Sequence, residues 1–190
     1  MSSSAPQGAP TTTRDALAAA GLRRFAVHGY EGSRLVDIAA DADLTTGAFY
    51  GHFTSKFDLF AVLFDRYGAD LLAALDECAT LEDQFICYIV VSRQYRGALR
   101  ASAELLQRSA AHASARQRLR DNCAAVLAWR LREPLTPKRA RVASRLLVDV
   151  LDQYAFMEAA RLTTPDEPRD VAHALATLVT QGLYITPSDN

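Results

Sequence analysis

Between Thr45 and Lys56 the chain gathers side chains suited to holding a phosphate and facing a base edge, and none suited to breaking a bond. Thr45 is a good helix N-cap, because its oxygen can accept from a free amide of the first turn. The amides of Thr46, Gly47 and Ala48 then form a helix start of the kind that attracts anions. Gly47 has no side chain to keep that backbone away from a ligand. Tyr50 offers a bracing ring and a hydroxyl that reaches a phosphate oxygen or a base edge. Lys56 is a point charge for a backbone contact. Arg34, upstream, is the local candidate for a bidentate guanine contact or a phosphate clamp.

Those residues need rigid supports. Leu35, Ile38, Ala39 and Ala42 recur at i, i+3, i+4 and i+7 and mark one apolar helix face. Ser33 precedes that face as its expected N-cap. Asp43 tolerates a left-handed turn conformation, and Leu44 follows as a buried anchor. Phe49 and Phe53, four apart, turn a second short helix inward. Ser55 starts a third helix, with Asp58 as the capping-box acid. Two short helices around a turn of about four residues have the layout of a helix-turn-helix reader of the DNA major groove.

The run GYEGSRLVDIAADADLTTGAFYGHFTSKFDLF resembles the N-terminal domain of the TetR family of one-component transcriptional regulators. Gly29-Tyr30, Ile38-Ala39, Thr45, Gly47, Tyr50, His52-Phe53 and Lys56 stand where that family's pattern wants them, within residues 12–66. Asp43, Ala48 and Gly51 depart from its common residues. By position the resemblance implies phosphate contacts from Thr45, Tyr50, His52 and Lys56, and places Thr46, Ala48 and Gly51 facing the bases. It also implies a homodimer on a palindromic operator and a small-molecule effector held by the C-terminal helices.

Length and charge set the wider frame. The 190 residues suffice for a small domain joined to a larger one. Net charge is −1, with local balances of −6 over residues 1–92, +10 over 93–145 and −5 over 146–190. The proposed reading domain is therefore not basic, so any DNA-facing cations must be concentrated on one face. Cys78, Cys87 and Cys123 form no Cys-x-x-Cys pair and read as buried free thiols. No His-Glu-x-x-His, phosphate loop or nucleophile elbow occurs, so catalytic residues, metal and cofactor are all expected to be absent. No apolar run of ~18 residues is present, and a soluble cytoplasmic protein without a membrane partner is expected.

In order, residues 1–11 read as a disordered tail, 12–58 as the helix-turn-helix domain, and 59–190 as an effector-binding and dimerisation domain. The fold class is all-α. The gap in prolines from Thr11 to Glu133 favours helix upon helix, and Ile89-Val90-Val91 is read as helix for want of a strand to pair with. Gly97 reads as a break, and Pro134 and Pro137 as the fence of a loop. Val142, Leu146, Val150, Tyr154 and Met157 stripe one closing helix, and Val171, Leu175, Leu178 and Val179 the other. Such stripes either complete the monomer's core or meet their copies in a four-helix interface.

Tyr88, Tyr95, Trp129, Tyr154 and Phe156 are the aromatic candidates for an effector lining. Arginines from 93–145, among them Arg93, Arg96, Arg100 and Arg130, would favour an amphipathic anion if turned inward. The functional expectation is a sequence-specific transcriptional regulator, a repressor released from its operator by a ligand. The alternative is an all-α small-molecule-binding protein with no DNA-regulatory role.

Overall fold

The computed structural model describes residues 12–132 and 135–183, so the expected tail over 1–11 and the Glu133-Pro134 step lie outside the described residues. Those described form nine α-helices and no strand: α1 (Thr13–His28), α2 (Leu35–Ala40), α3 (Thr46–Tyr50), α4 (Lys56–Glu77), α5 (Leu81–Gln94), α6 (Arg96–Leu105), α7 (Ala110–Arg130), α8 (Pro137–Ala159) and α9 (Pro168–Leu183).

Hydroxyl residues start most of these helices for one reason, the need to satisfy first-turn amides. Thr12, Thr45, Ser55, Thr80, Ser109 and Thr136 each accept from the amide three positions on. Thr80 and Asp83 complete a reciprocal capping box. At the other end of α1, Gly29 takes φ 72°, a conformation that favours glycine.

The rod of the molecule is α4. It buries Leu59, Phe60, Leu63, Phe64, Tyr67, Leu71 and Leu75, packing on α1, α6 and α7 along its length and on α5. In turn α6 packs against both α1 and α8, while α7 lies along α8 and α9 along α5. Ile89 and Val91 are buried within helical α5. Gly97 does not break the chain but sits inside α6, where it lets that helix approach α1 closely.

The stripes at the C-terminus divide. Leu147, Val148, Leu151 and Ala155 form the buried face of α8, whereas Val142, Leu146 and Val150 are exposed, Leu146 at 60%. On α9, Val171, Leu175 and Val179 pack against the core and Leu178 is 70% exposed. The three cysteines are free thiols; Cys78 and Cys123 are buried, and burial pushes the Cys123 thiol up to about 12. No described helix is long and apolar enough to cross a membrane.

Candidate nucleic-acid interface and effector cleft

The turn between α2 and α3 is fixed by backbone and packing together. Asp43 has φ 57°, and Leu44 donates its amide to the Ala39 carbonyl at 2.9 Å. Ile38, Ala39, Phe49 and Phe53 are buried beneath. Arg24 of α1 clamps the end of α2 through two bonds to the Asp41 carboxylate, at 2.5 and 2.8 Å. This held surface leaves α3 with its outer side in solvent.

On that side stand Thr45, Gly47, Tyr50, Gly51 and His52, all exposed, with Thr46 and Ala48 half-buried. Tyr50 is 56% exposed and stands edge-on against Phe49, with centroids 5.7 Å apart. Thr45 Oγ1 accepts from the Ala48 amide at 3.1 Å, so of the three amides offered by the sequence that of Ala48 is used internally. A Cβ built on Gly47 would meet only Thr45 Oγ1, at 3.7 Å; the fold does not require glycine there.

The expected cap Ser33 and two site residues, Arg34 and Lys56, have other partners. Ser33 is buried and donates to the Gly29 carbonyl at 2.6 Å, closing the α1–α2 turn, while Arg34 takes the N-cap position of α2 without a side-chain cap bond. The Arg34 guanidinium makes two bonds to Asp37, at 3.0 and 2.9 Å, and holds that carboxyl below its usual range. Lys56 Nζ donates to the carbonyls of Tyr30 at 2.7 Å and Ser33 at 2.9 Å, and lies 4.3 Å from the Tyr30 ring centroid. Burial lowers the pKa of Lys56. Its first task is to tie α4 to the α1–α2 turn. Arg14, unnoticed in the sequence, lies 5.3 Å from the centroid of the Phe53 ring, so it adds an exposed cation beside the end of α3.

The aromatic candidates for an effector lining do not converge. Tyr88 is buried in the core, and Tyr95 donates to Asp70 at 2.5 Å. Trp129 is on the surface under Arg132, and the Tyr154 hydroxyl accepts from the Asp166 amide at 3.4 Å. Of these five, Phe156 alone lines a cleft of about 490 Å³ between α6, α7 and α8. Its polar wall comes from Arg116 and Arg120 on α7 and from Asp149 and Asp152 on α8; Leu106, at the end of α6, and Phe156 form the apolar part.

Three of the four arginines singled out in the sequence serve other ends, while Arg96 lines, with Arg93, a smaller cleft beside Glu158 and Pro165. Arg93 holds Glu158 through two bonds, Arg100 donates to the carbonyls of Ala26 and Val27 at 3.0 Å, and Arg130 donates to the Cys78 carbonyl at 2.5 Å. The cleft pairs had a signal in the sequence: two arginines four apart on one helix and two aspartates three apart on the next.

Between cleft and α3 surface stands α6. Arg100 caps the end of α1, Glu104 accepts from the Glu31 amide at 2.9 Å, and Arg108 beyond it pairs with Glu31. On its other side, Ser102 meets His112 Nε2 at 2.8 Å, and the His112 ring stands edge-on against Phe60 and Phe64.

The α2–turn–α3 unit is a core-anchored helix-turn-helix on a larger helical body. Residues 17–63 match the family described as bacterial regulatory proteins, tetR family. The HTH-type transcriptional repressor DhaR of Mycobacterium sp. (strain GP1) is 36% identical over 75 residues, which are 40% of this chain and 37% of that protein. The chain thus matches little more than a third of the length of that curated relative. A transcriptional regulator (TerR/AcrR family) from Aquifex aeolicus VF5 superposes with TM-score 0.73 at 19% identity, over 88% of this chain and 99% of the other. A transcriptional regulator from Rhodococcus sp. Rha1 does so with TM-score 0.72 at 22% identity, over 93% and 100%. The tetR-family match thus covers residues 17–63, and the fold shared with these two structures extends over most of the chain.

Proposed function

We propose that this chain is a homodimeric DNA-binding transcriptional regulator, a repressor that a small molecule releases from a palindromic operator. The observation that carries the reading is the outer side of α3, where Thr46, Gly47, Tyr50 and Gly51 are presented on a helix whose inner side is anchored by buried Phe49 and Phe53. That surface takes a groove without any rearrangement of the core. Thr45, Tyr50, His52 and Arg14 are its backbone contacts, and Thr46, Ala48 and Gly51 face the bases. Lys56 acts mainly by fixing the turn, and Arg34 can offer DNA its Nη1 while Nε and Nη2 stay on Asp37.

The exposed apolar residues of α8 and α9 support the dimer, since Val142, Leu146, Val150 and Leu178 have no cover among the described residues. Two copies would set their α3 helices about 34–36 Å apart, one turn of DNA. The cleft beside α6 supports ligand control. A ligand that prefers one setting of α6 shifts the population of the DNA-competent spacing, because α6 also holds α1.

The test is a duplex selected from a random pool and its affinity measured against salt. A regulator gives a selected palindrome and a log K that falls linearly with log salt. A small-molecule carrier selects nothing and shows no such slope.

A further inference from the structure

We propose that the cleft between α6, α7 and α8 takes a zwitterion with closely spaced charges, its carboxylate on Arg120 and its protonated amine on Asp149. This rests on the regulator reading above and names the class of its effector.

The two close ion pairs of the cleft differ in kind. Arg116 and Asp152 meet at 2.7 Å with side chains only 16% and 10% exposed, and form a spent, buried floor. Arg120 and Asp149 pair at the mouth, where the Asp149 side chain is 50% exposed. Only one edge of the Arg120 guanidinium is used. Among the described residues its buried Nε has no hydrogen-bond acceptor, and it lies 4.0 Å from Asp152 Oδ2. A buried donor of this kind calls for an acceptor, and guanidinium takes carboxylate oxygens two at a time. A ligand carboxylate that takes Nε and Nη2 displaces Asp149, which then needs a cation of its own.

Charge balance selects the class. Two arginines and two aspartates cancel, so a plain anion gains Arg120 but leaves Asp149 to solvent, and a plain cation gains Asp149 but leaves Arg120 without it. A zwitterion exchanges one internal pair for two pairs with the ligand. Since Arg120 and Asp149 touch each other, the charges must be separated by only a few bonds, as in an α- or β-amino acid. Leu106 and Phe156 offer an apolar wall to the remainder. The volume of about 490 Å³ suits a small molecule.

The experiment uses the full chain at pH 7 and the common L-amino acids, each as the free amino acid, its N-acetyl form and its amide. Melting temperature and calorimetric titration read binding; release of a selected operator duplex is read separately. At least one free amino acid is expected to bind tenfold or more tighter than both of its blocked forms. Arg120→Gln and Asp149→Asn, each folded by its unliganded melt, should each weaken it tenfold or more. Binding by blocked forms alone, by no compound, or with equal strength in both variants overturns the zwitterion class. An amino acid that binds through Arg120 and Asp149 yet leaves the operator occupied supports the class and removes the effector reading. A compound that frees the operator equally well in both variants does the reverse.

Discussion

Gly97 of α6 lies against Leu22 of α1 so closely that a Cβ on the glycine would stand 2.0 Å from the Leu22 carbonyl oxygen and 3.0 Å from the Ala26 amide nitrogen. Both neighbours are backbone, so neither can rotate away. Three residues on, Arg100 caps the carbonyls of Ala26 and Val27. The helix that borders the cleft is therefore the helix on which α1 is seated.

Gly97→Val should force α1 and α6 apart. Overpacking of this kind costs about 1–3 kcal/mol, and each kcal/mol lowers the melting temperature of a chain of this size by about 2–4 °C. Operator affinity should fall with it, because α1 supports the helix-turn-helix. A variant that melts with the wild type would show that the two helices separate without cost.

Lys56→Met removes the donor from the Tyr30 and Ser33 carbonyls. Each acceptor left without a partner costs about 1–3 kcal/mol if it stays dry. The melting temperature should fall, and duplex affinity should fall at an unchanged salt slope. A slope reduced by about 0.9 at an unchanged melting temperature would instead make Lys56 a phosphate contact.

Much of this arrangement was readable in the sequence because it rests on local rules. Thr45, Ser55 and Asp43 stand where caps and a left-handed turn need them, and they take those positions. The stripe of α8 was readable as apolar but not as outward, since Leu147 and Leu151 offer a second apolar face one step round the helix. Gly97 read as a break because the helix it touches is more than seventy residues earlier in the chain. Lys56 carried the same difficulty: its acceptors are backbone carbonyls, which leave no mark in a sequence. The charge excess of 93–145 pointed to an anion, but Arg93, Arg100 and Arg130 are bound to Glu158 and to carbonyls, and the arginines at the larger cleft face aspartates.

His112 should make the protein sensitive to mild acid. It is buried between Phe60 and Phe64, and burial lowers its pKa below the usual 6.5. The unfolded chain then binds the proton first. Stability is full above about pH 6.5 and is lost as pH falls through the window down to the lowered folded value, by at most ~1.4 kcal/mol per pH unit. Melts from pH 7.5 to 5.5 should decline more steeply for the wild type than for His112→Leu. Parallel declines would place the acid sensitivity elsewhere.

Leu146→Glu together with Leu178→Glu puts charge on the uncovered apolar faces of α8 and α9. Both positions are exposed, so the monomer should keep its helical content while dimers disappear in sedimentation at micromolar concentration. Operator binding should go with them. A double variant that still sediments as a dimer would move the interface off these faces.

The direct measurement is duplex affinity of Gly47→Glu by fluorescence anisotropy, beside its melting curve. The added side chain enters open space at the fold's surface, with only Thr45 Oγ1 within 4 Å, and carries negative charge to the outer side of α3. The expected result is an unchanged melting temperature and a loss of operator affinity of at least about a hundredfold, or ~2.7 kcal/mol. An equally stable variant that binds the duplex as tightly as the wild type would mean that α3 does not face DNA.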